Sequence, residues 1–217
     1  MAAEPSVFGR VRDSRVVPVV VVDRIEAALP LADALIAGGL PVAEITFRTK
    51  AAAEVIRLLT AERPQLLVGA GTVLNVDDAR HAKECGARFA VAPGLNRDVV
   101  KAALDVDLPF APGVMTPTDV ETALGFGLQI LKYFPAEAAG GLAFLKSLSA
   151  PYKHLGVQFI PTGGIAPQNL PDYLTSGVVL AVGGTWVAPQ NVIAAGQWDK
   201  VIDNCRQIQA LLSVGAA

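Results

Sequence analysis

The sequence predicts an α/β fold, a compact (β/α)8 or TIM barrel formed as a single domain over residues 1–217 behind a short lead-in, 1–15. Three observations carry that expectation. Eight apolar runs with strand character begin near Val16, Val42, Leu66, Arg88, Pro109, Leu128, Val157 and Val178, at intervals of 19 to 29 residues, and most are separated by helix-like segments. With 217 residues, 52% hydrophobic and 18% charged, the chain can bury one large core. Polar residues gather at the C-terminal ends of several runs, whereas a doubly wound sheet would gather them at one crossover, and no GxGxxG follows an early strand.

The elements follow in order. Residues 5–14 are a polar lead-in with room for one or two helical turns. Val16–Val22 is a β-branched run suited to a strand covered on both faces; Pro18, lacking a donor, marks a strand start or an edge defect. Ile25–Ala37 has helical spacing and closes on Gly38-Gly39, a C-cap. In the second run Ala43, Ile45 and Phe47 alternate with Glu44, Thr46 and Arg48, so packing the apolar set under helices turns the polar set into the interior. The third ends Val68-Gly69-Ala70-Gly71-Thr72, where two glycines let the backbone approach a ligand beneath a hydroxyl. The fourth and fifth end in Pro93-Gly94 and Pro112-Gly113, which read as turn chemistry, and Thr116 followed by Pro117 reads as an N-cap and N1 pair. In the sixth, Leu128, Ile130, Lys132 and Phe134 share one face and Gln129, Leu131 and Tyr133 the other. The seventh and eighth end Thr162-Gly163-Gly164 and Gly183-Gly184-Thr185. Trp198–Leu212 closes the outer ring as a helix, and Val178–Val182 is apolar enough for either core or interface.

Four places carry chemistry. Lys132, inside an apolar strand, either frays to water at the strand end or is buried, where loss of its charge would make it a nucleophile toward carbonyls. Glu44 and Arg48 form either an interior ion pair or a general acid/base carboxylate beside a guanidinium that grips a substrate carboxylate. Glycine pairs after both the seventh and eighth strands favour a phosphate site on backbone N–H groups and a helix N-terminus, with Thr185 completing it.

Other classes are disfavoured. Eighteen basic and twenty acidic residues give a net charge of -2 without a like-charge block, which argues against nucleic acid. No apolar run approaches a membrane span and the first residues lack a signal-peptide pattern, so a cytoplasmic protein is expected. His81 and His154 are the only histidines, no ligand spacing for a metal occurs, and Cys85 and Cys205 read as free buried thiols.

Glu44-Ile45-Thr46-Phe47-Arg48-Thr49, Val68-Gly69-Ala70-Gly71-Thr72-Val73-Leu74, Lys132-Tyr133-Phe134-Pro135-Ala136-Glu137, Pro161-Thr162-Gly163-Gly164-Ile165 and Gly183-Gly184-Thr185-Trp186 resemble, in order, segments of the class I 2-keto-3-deoxy-6-phosphogluconate (KDPG) aldolases, often bifunctional with 4-hydroxy-2-oxoglutarate (KHG) aldolase activity. The likeness spans about Val16–Leu212. It implies a homotrimeric barrel without metal or other cofactor, in which Lys132 forms a Schiff base and Glu44 shuttles protons. It also implies that Arg48 and Thr72 meet the substrate carboxylate, that Pro93 and Phe134 wall the pyruvyl pocket, that Thr162 is a further substrate contact, and that Gly163, Gly164, Gly184 and Thr185 hold the phosphate end of a phosphorylated 2-keto-3-deoxy sugar acid. Tyr133, Met115 and Thr185 replace the more usual phenylalanine, small residue and serine. Tyr133 should point away from the pocket, Met115 should narrow its mouth, and the Thr185 methyl should crowd the phosphate.

The expected reaction is cleavage of KDPG to pyruvate and glyceraldehyde 3-phosphate, with Lys132 made partly neutral by burial and by Arg48. Two alternatives stand beside it: KHG cleavage to pyruvate and glyoxylate as the main activity, and a catalytically inert barrel used as an assembly scaffold.

Overall fold

A computed structural model describes residues 6–214. The polar lead-in is a full helix, α1 (Val7–Ser14), capped by Ser6, whose hydroxyl accepts from the Gly9 N–H. Strands and helices then alternate: β1 (Val16–Val20), α2 (Ala28–Ala37), β2 (Val42–Thr46), α3 (Ala52–Glu62), β3 (Leu67–Gly71), α4 (Val76–Glu84), β4 (Phe89–Val91), α5 (Arg97–Asp105), β5 (Phe110–Ala111), β6 (Gly113–Val114) and α6 (Pro117–Gly125). The second half carries β7 (Ile130–Tyr133), α7 (Gly141–Ser149), β8 (Gln158–Pro161), α8 (Leu170–Leu174), β9 (Val182–Gly184), α9 (Gln190–Ala194) and α10 (Trp198–Val214). Gly39 takes φ +85° just past α2, as the glycine pair predicted, and Thr116 with Pro117 builds a complete capping box on α6.

All strand pairings are parallel and form one curled α/β sheet in two parts, ordered β5-β4-β3-β2-β1-β9 and β6-β7-β8. Isolated parallel bridges, Phe159 to Val179 and Thr162 to Gly183, join the β8 side to the β9 side. The fifth expected strand is broken at Pro112, which has no N–H to give to a ladder. β5 therefore pairs with β4, and β6 pairs with β7 through register Gly113–Lys132. The eighth run ladders only from Val182, but Val178–Val182 is buried throughout, so it belongs to the core of the chain. Pro18 departs from expectation. It lies inside an interior strand, at the point where β1 passes from its pairing with β9 (Val16–Pro18) to its pairing with β2 (Val19–Val20), so the missing donor falls where the neighbour changes.

Alternation divides the side chains between two cores. Ala43, Ile45, Val68, Ala70, Leu131 and Tyr133 pack outward under the helices. Val17, Val42, Leu67, Phe89, Ala111, Ile160 and Leu180 fill the concave side, and Val11 of α1 caps their layer. That inner layer sits at the N-terminal ends of the strands and leaves the C-terminal ends for polar groups. Cys85 and Cys205 are free and buried, and burial pushes the Cys205 thiol up to about 12.

Close packing of the inner layer depends on Gly69. A Cβ there would stand 2.3 to 2.5 Å from three atoms of the Phe89 ring, its register partner on β4. Gly69→Ala is predicted to cost about 1–3 kcal/mol of unfolding free energy by overpacking. Adding Phe89→Leu should make the chain more stable than Gly69→Ala alone; urea titration that shows no such recovery would refute the crowding account.

Candidate active site

The C-terminal ends of the strands open into a cleft of about 590 Å³. At its floor Lys132, from β7, and Glu44, from β2, are 5% and 3% exposed. The Nζ donates to Glu44 Oε1 at 3.0 Å and lies 3.4 Å from Oε2. β2 and β7 belong to different parts of the sheet, so this pair bridges the concave interior. Neither the frayed lysine nor an internal Glu44–Arg48 pair is what the chain forms. The strand parity read from the sequence does hold: Lys132 and Phe134 face the cleft, with Nζ 5.8 Å from the Phe134 ring centroid, and Tyr133 faces the outer core, its hydroxyl donating to the Ala139 carbonyl.

Glu44 fits because β3 makes room. A Cβ on Gly71, the β3 register partner of Thr46, would fall 2.2 Å from Glu44 Oε1, so the carboxylate occupies the space a side chain would need. Thr46 is buried, donates to the Val20 carbonyl at 3.1 Å and accepts from Arg48 Nε at 3.3 Å. It thereby sets the direction of a guanidinium that reaches the cleft mouth and has no acidic partner among the described residues. Arg48 was expected to lower the charge on Lys132; the charged group bonded to Nζ is instead the acidic Glu44.

Thr72, Pro93, Thr162, Gly163, Gly164 and Thr185 complete the lining. Thr162 is 5% exposed, and its Oγ is buried without a hydrogen-bond partner among the described residues. It packs so closely on β9 that a Cβ on Gly183 would be 2.2 Å from that oxygen. Gly184, also expected here, turns its Cα to the Trp186 ring, and Gly183 lines the cleft in its place. Parity held the signal: with Thr185 facing in, its neighbour two residues back must face in as well. Met115 is exposed outside the lining and does not narrow the mouth. Nor does a helix start at either glycine pair, since α8 opens at Leu170 and α9 at Gln190; any anion there would meet loop amides. Thr46, Val19 and Ile165 are further lining residues to which the sequence reading gave no role.

The model of the family "KDPG and KHG aldolase" matches residues 7–204. A 2-dehydro-3-deoxy-phosphogluconate aldolase of Haemophilus influenzae is 45% identical over 195 residues, 90% of this chain and 91% of that protein. The chain belongs to the KDPG and KHG aldolase family. Two solved structures are close to it. The KDPG aldolase of Legionella pneumophila, with pyruvate captured as a covalent carbinolamine, superposes with a TM-score of 0.88 at 38% identity, covering 95% of this chain and 98% of that one. The 2-keto-3-deoxy-6-phosphogluconate aldolase of Zymomonas mobilis, with 3-phosphoglycerate, gives 0.85 at 40% identity, covering 94% and 95%.

The rim of the cleft carries backbone strain. Thr72 has φ +58°, a left-handed conformation that a β-branched residue adopts only under constraint. Thr72→Asn, which tolerates that region better, should hold or raise the unfolding free energy by up to about 1 kcal/mol. A clear loss of stability in thermal and urea unfolding would contradict the strain.

Proposed function

We propose that this protein is a class I aldolase that cleaves KDPG to pyruvate and glyceraldehyde 3-phosphate through an imine on Lys132. The observation that carries the reading is the buried Lys132–Glu44 pair at 3.0 Å, on the floor of a cleft whose mouth holds a guanidinium with no acidic partner among the described residues.

The chemistry follows from that geometry. Lys132 must shed a proton before Nζ can attack, and Glu44 is the acceptor already bonded to it. The Nζ lone pair adds to the C2 ketone, and the carbinolamine oxygen leaves as water with protons delivered by Glu44. The cationic imine then serves as the electron sink, so the step needs no metal. Glu44 removes the C4 hydroxyl proton, the C3–C4 bond breaks, and its electron pair becomes the enamine as the aldehyde departs. Protonation of the enamine at C3 and hydrolysis of the imine release pyruvate and free Lys132.

Arg48, with Thr72, takes the substrate carboxylate in this scheme, and Pro93 and Phe134 wall the pyruvyl group. The phosphate lies against Thr162, Gly163, Gly164, Gly184 and Thr185, with Gly184 acting through its backbone alone because its Cα faces Trp186. The two bridges between the β8 and β9 sides support a closed (β/α)8 barrel as the single domain. A cytoplasmic homotrimer is the assembly the family resemblance implies, and no described helix is long and apolar enough to cross a membrane.

Borohydride reduction in the presence of pyruvate, followed by peptide mass mapping, should place one reduced pyruvyl adduct on Lys132 and none on folded Lys132→Ala. Folded wild-type protein that yields no adduct would remove the imine and favour an inert barrel. Glu44→Gln should lower turnover by about a hundred- to ten-thousand-fold while some imine still forms. Full activity in that variant would take Glu44 out of the mechanism.

A further inference from the structure

Beyond the cleft floor, the Lys132 segment ends in Glu137, a residue the mechanism does not use. Its backbone N–H donates to the Gly163 carbonyl at 3.0 Å, and that of Ala136 donates to the Thr162 carbonyl at 2.8 Å. The turn after β7 is thus zipped to the loop after β8. The Glu137 side chain then lies along that loop: a Cβ on Gly164 would be 2.6 Å from Glu137 Cβ and 2.8 Å from its Cγ. Gly163 and Gly164 both sit in the left-handed region, at φ +103° and +80°, so this loop holds a conformation that backbone preference alone does not select.

The far end of Glu137 reaches the next element. Its Oε1 accepts a hydrogen bond from the hydroxyl of Tyr173, which is 2% exposed on α8, the helix into which the loop runs. Burial and the neighbouring carboxylate both push the Tyr173 hydroxyl up from its ordinary value, so it remains a donor. One side chain therefore supports the glycine loop with its stem and ties down the following helix with its carboxylate.

We infer that Glu137 and Tyr173 form a brace that fixes the Gly163–Gly164 loop in a phosphate-receptive shape. They act as positioning residues that set the preference for a phosphorylated substrate over an unphosphorylated one. The inference rests on the proposal that this loop receives the substrate phosphate. Neither residue lines the cleft, so both act through the loop. At the pyruvyl end, Arg48 and Thr72 follow β2 and β3, and Lys132 is held within β7 by its ladder pairs to β6 and β8, so the reacting centre is left in place. Binding energy at the remote phosphate is lost without changing the reacting centre, which separates this role from a structural one.

The test compares KDPG with KHG, which carries no phosphate, on wild type and four variants. Tyr173→Phe keeps the buried ring and removes only the hydroxyl. It should raise KM for KDPG about tenfold with kcat within about twofold, and leave kcat/KM for KHG within about twofold. Glu137→Ala should match it. Glu137→Gln, which keeps an accepting oxygen, should stay near wild type, and Glu137→Ala with Tyr173→Phe should be no worse than either alone. An unchanged KM for KDPG in Tyr173→Phe, or equal losses on both substrates, would overturn the brace. A wild-type enzyme that shows no preference for KDPG and no competition by inorganic phosphate would overturn the phosphate reading itself, and the brace with it.

Discussion

A lysine and a glutamate withdrawn from water can persist only together, and the Lys132–Glu44 pair constrains what surrounds it. Each charge alone would meet a desolvation penalty of several kcal/mol, and losing one partner of such a pair typically costs about 3–5 kcal/mol. The partners come from β2 and β7, eighty-eight residues apart, so the attraction acts across the concave side of the sheet. It therefore requires both halves of the chain to be in place. The strand between the pair and β4 must be nearly bare, which is why β3 offers Gly71 to the carboxylate and Gly69 to the Phe89 ring just below it.

This arrangement gives the interior a polarity along its axis. At the N-terminal ends of the strands, Val17, Val42, Leu67, Phe89 and Ile160 form a dry layer that Val11 of α1 caps. Water cannot approach the ion pair from that side, so all access is through the C-terminal mouth. Exposure rises in the same direction, from Lys132, Glu44, Thr46 and Thr162, which are buried, to Thr72 and Pro93, which are half-buried, and then to Arg48 and Thr185, which are exposed. A molecule that enters meets the Arg48 cation first and the Lys132–Glu44 pair last.

Much of this was legible in the sequence because strand alternation has a period of two and leaves little freedom. Once Ala43 and Ile45 lie under the helices, Glu44 and Thr46 must face inward, and once Leu131 and Tyr133 do so, Lys132 and Phe134 must. What was not legible depends on matters outside that period. The partner of Lys132 depends on curvature that brings β7 opposite β2, which no local pattern encodes, so Glu44 could not be separated from Arg48. The break at Pro112 leaves one run paired on different sides before and after it. Met115 falls beyond a strand end, where alternation lapses and direction is set by the turn into α6. Gly183 differs from these, because parity does encode it: with Thr185 turned inward, Gly183 must face the cleft while the Cα of Gly184 faces Trp186.

The two cations of the cleft divide the work because their electrostatic situations differ. Arg48 has a hydroxyl neighbour in Thr46 and no acidic partner among the described residues, so it is ready for an anion. Lys132 is already matched by Glu44. In the proposed mechanism Lys132 and Glu44 are both neutral while the amine attacks, and formation of the imine then returns a positive charge to the same Nζ, opposite the same carboxylate. Had Arg48 been the partner of Glu44, imine formation would have placed a new cation on the floor with nothing assigned to it. The observed pairing means that the charge the proposed reaction would develop is one the fold already holds, which is the sense in which this cleft is preorganised for it.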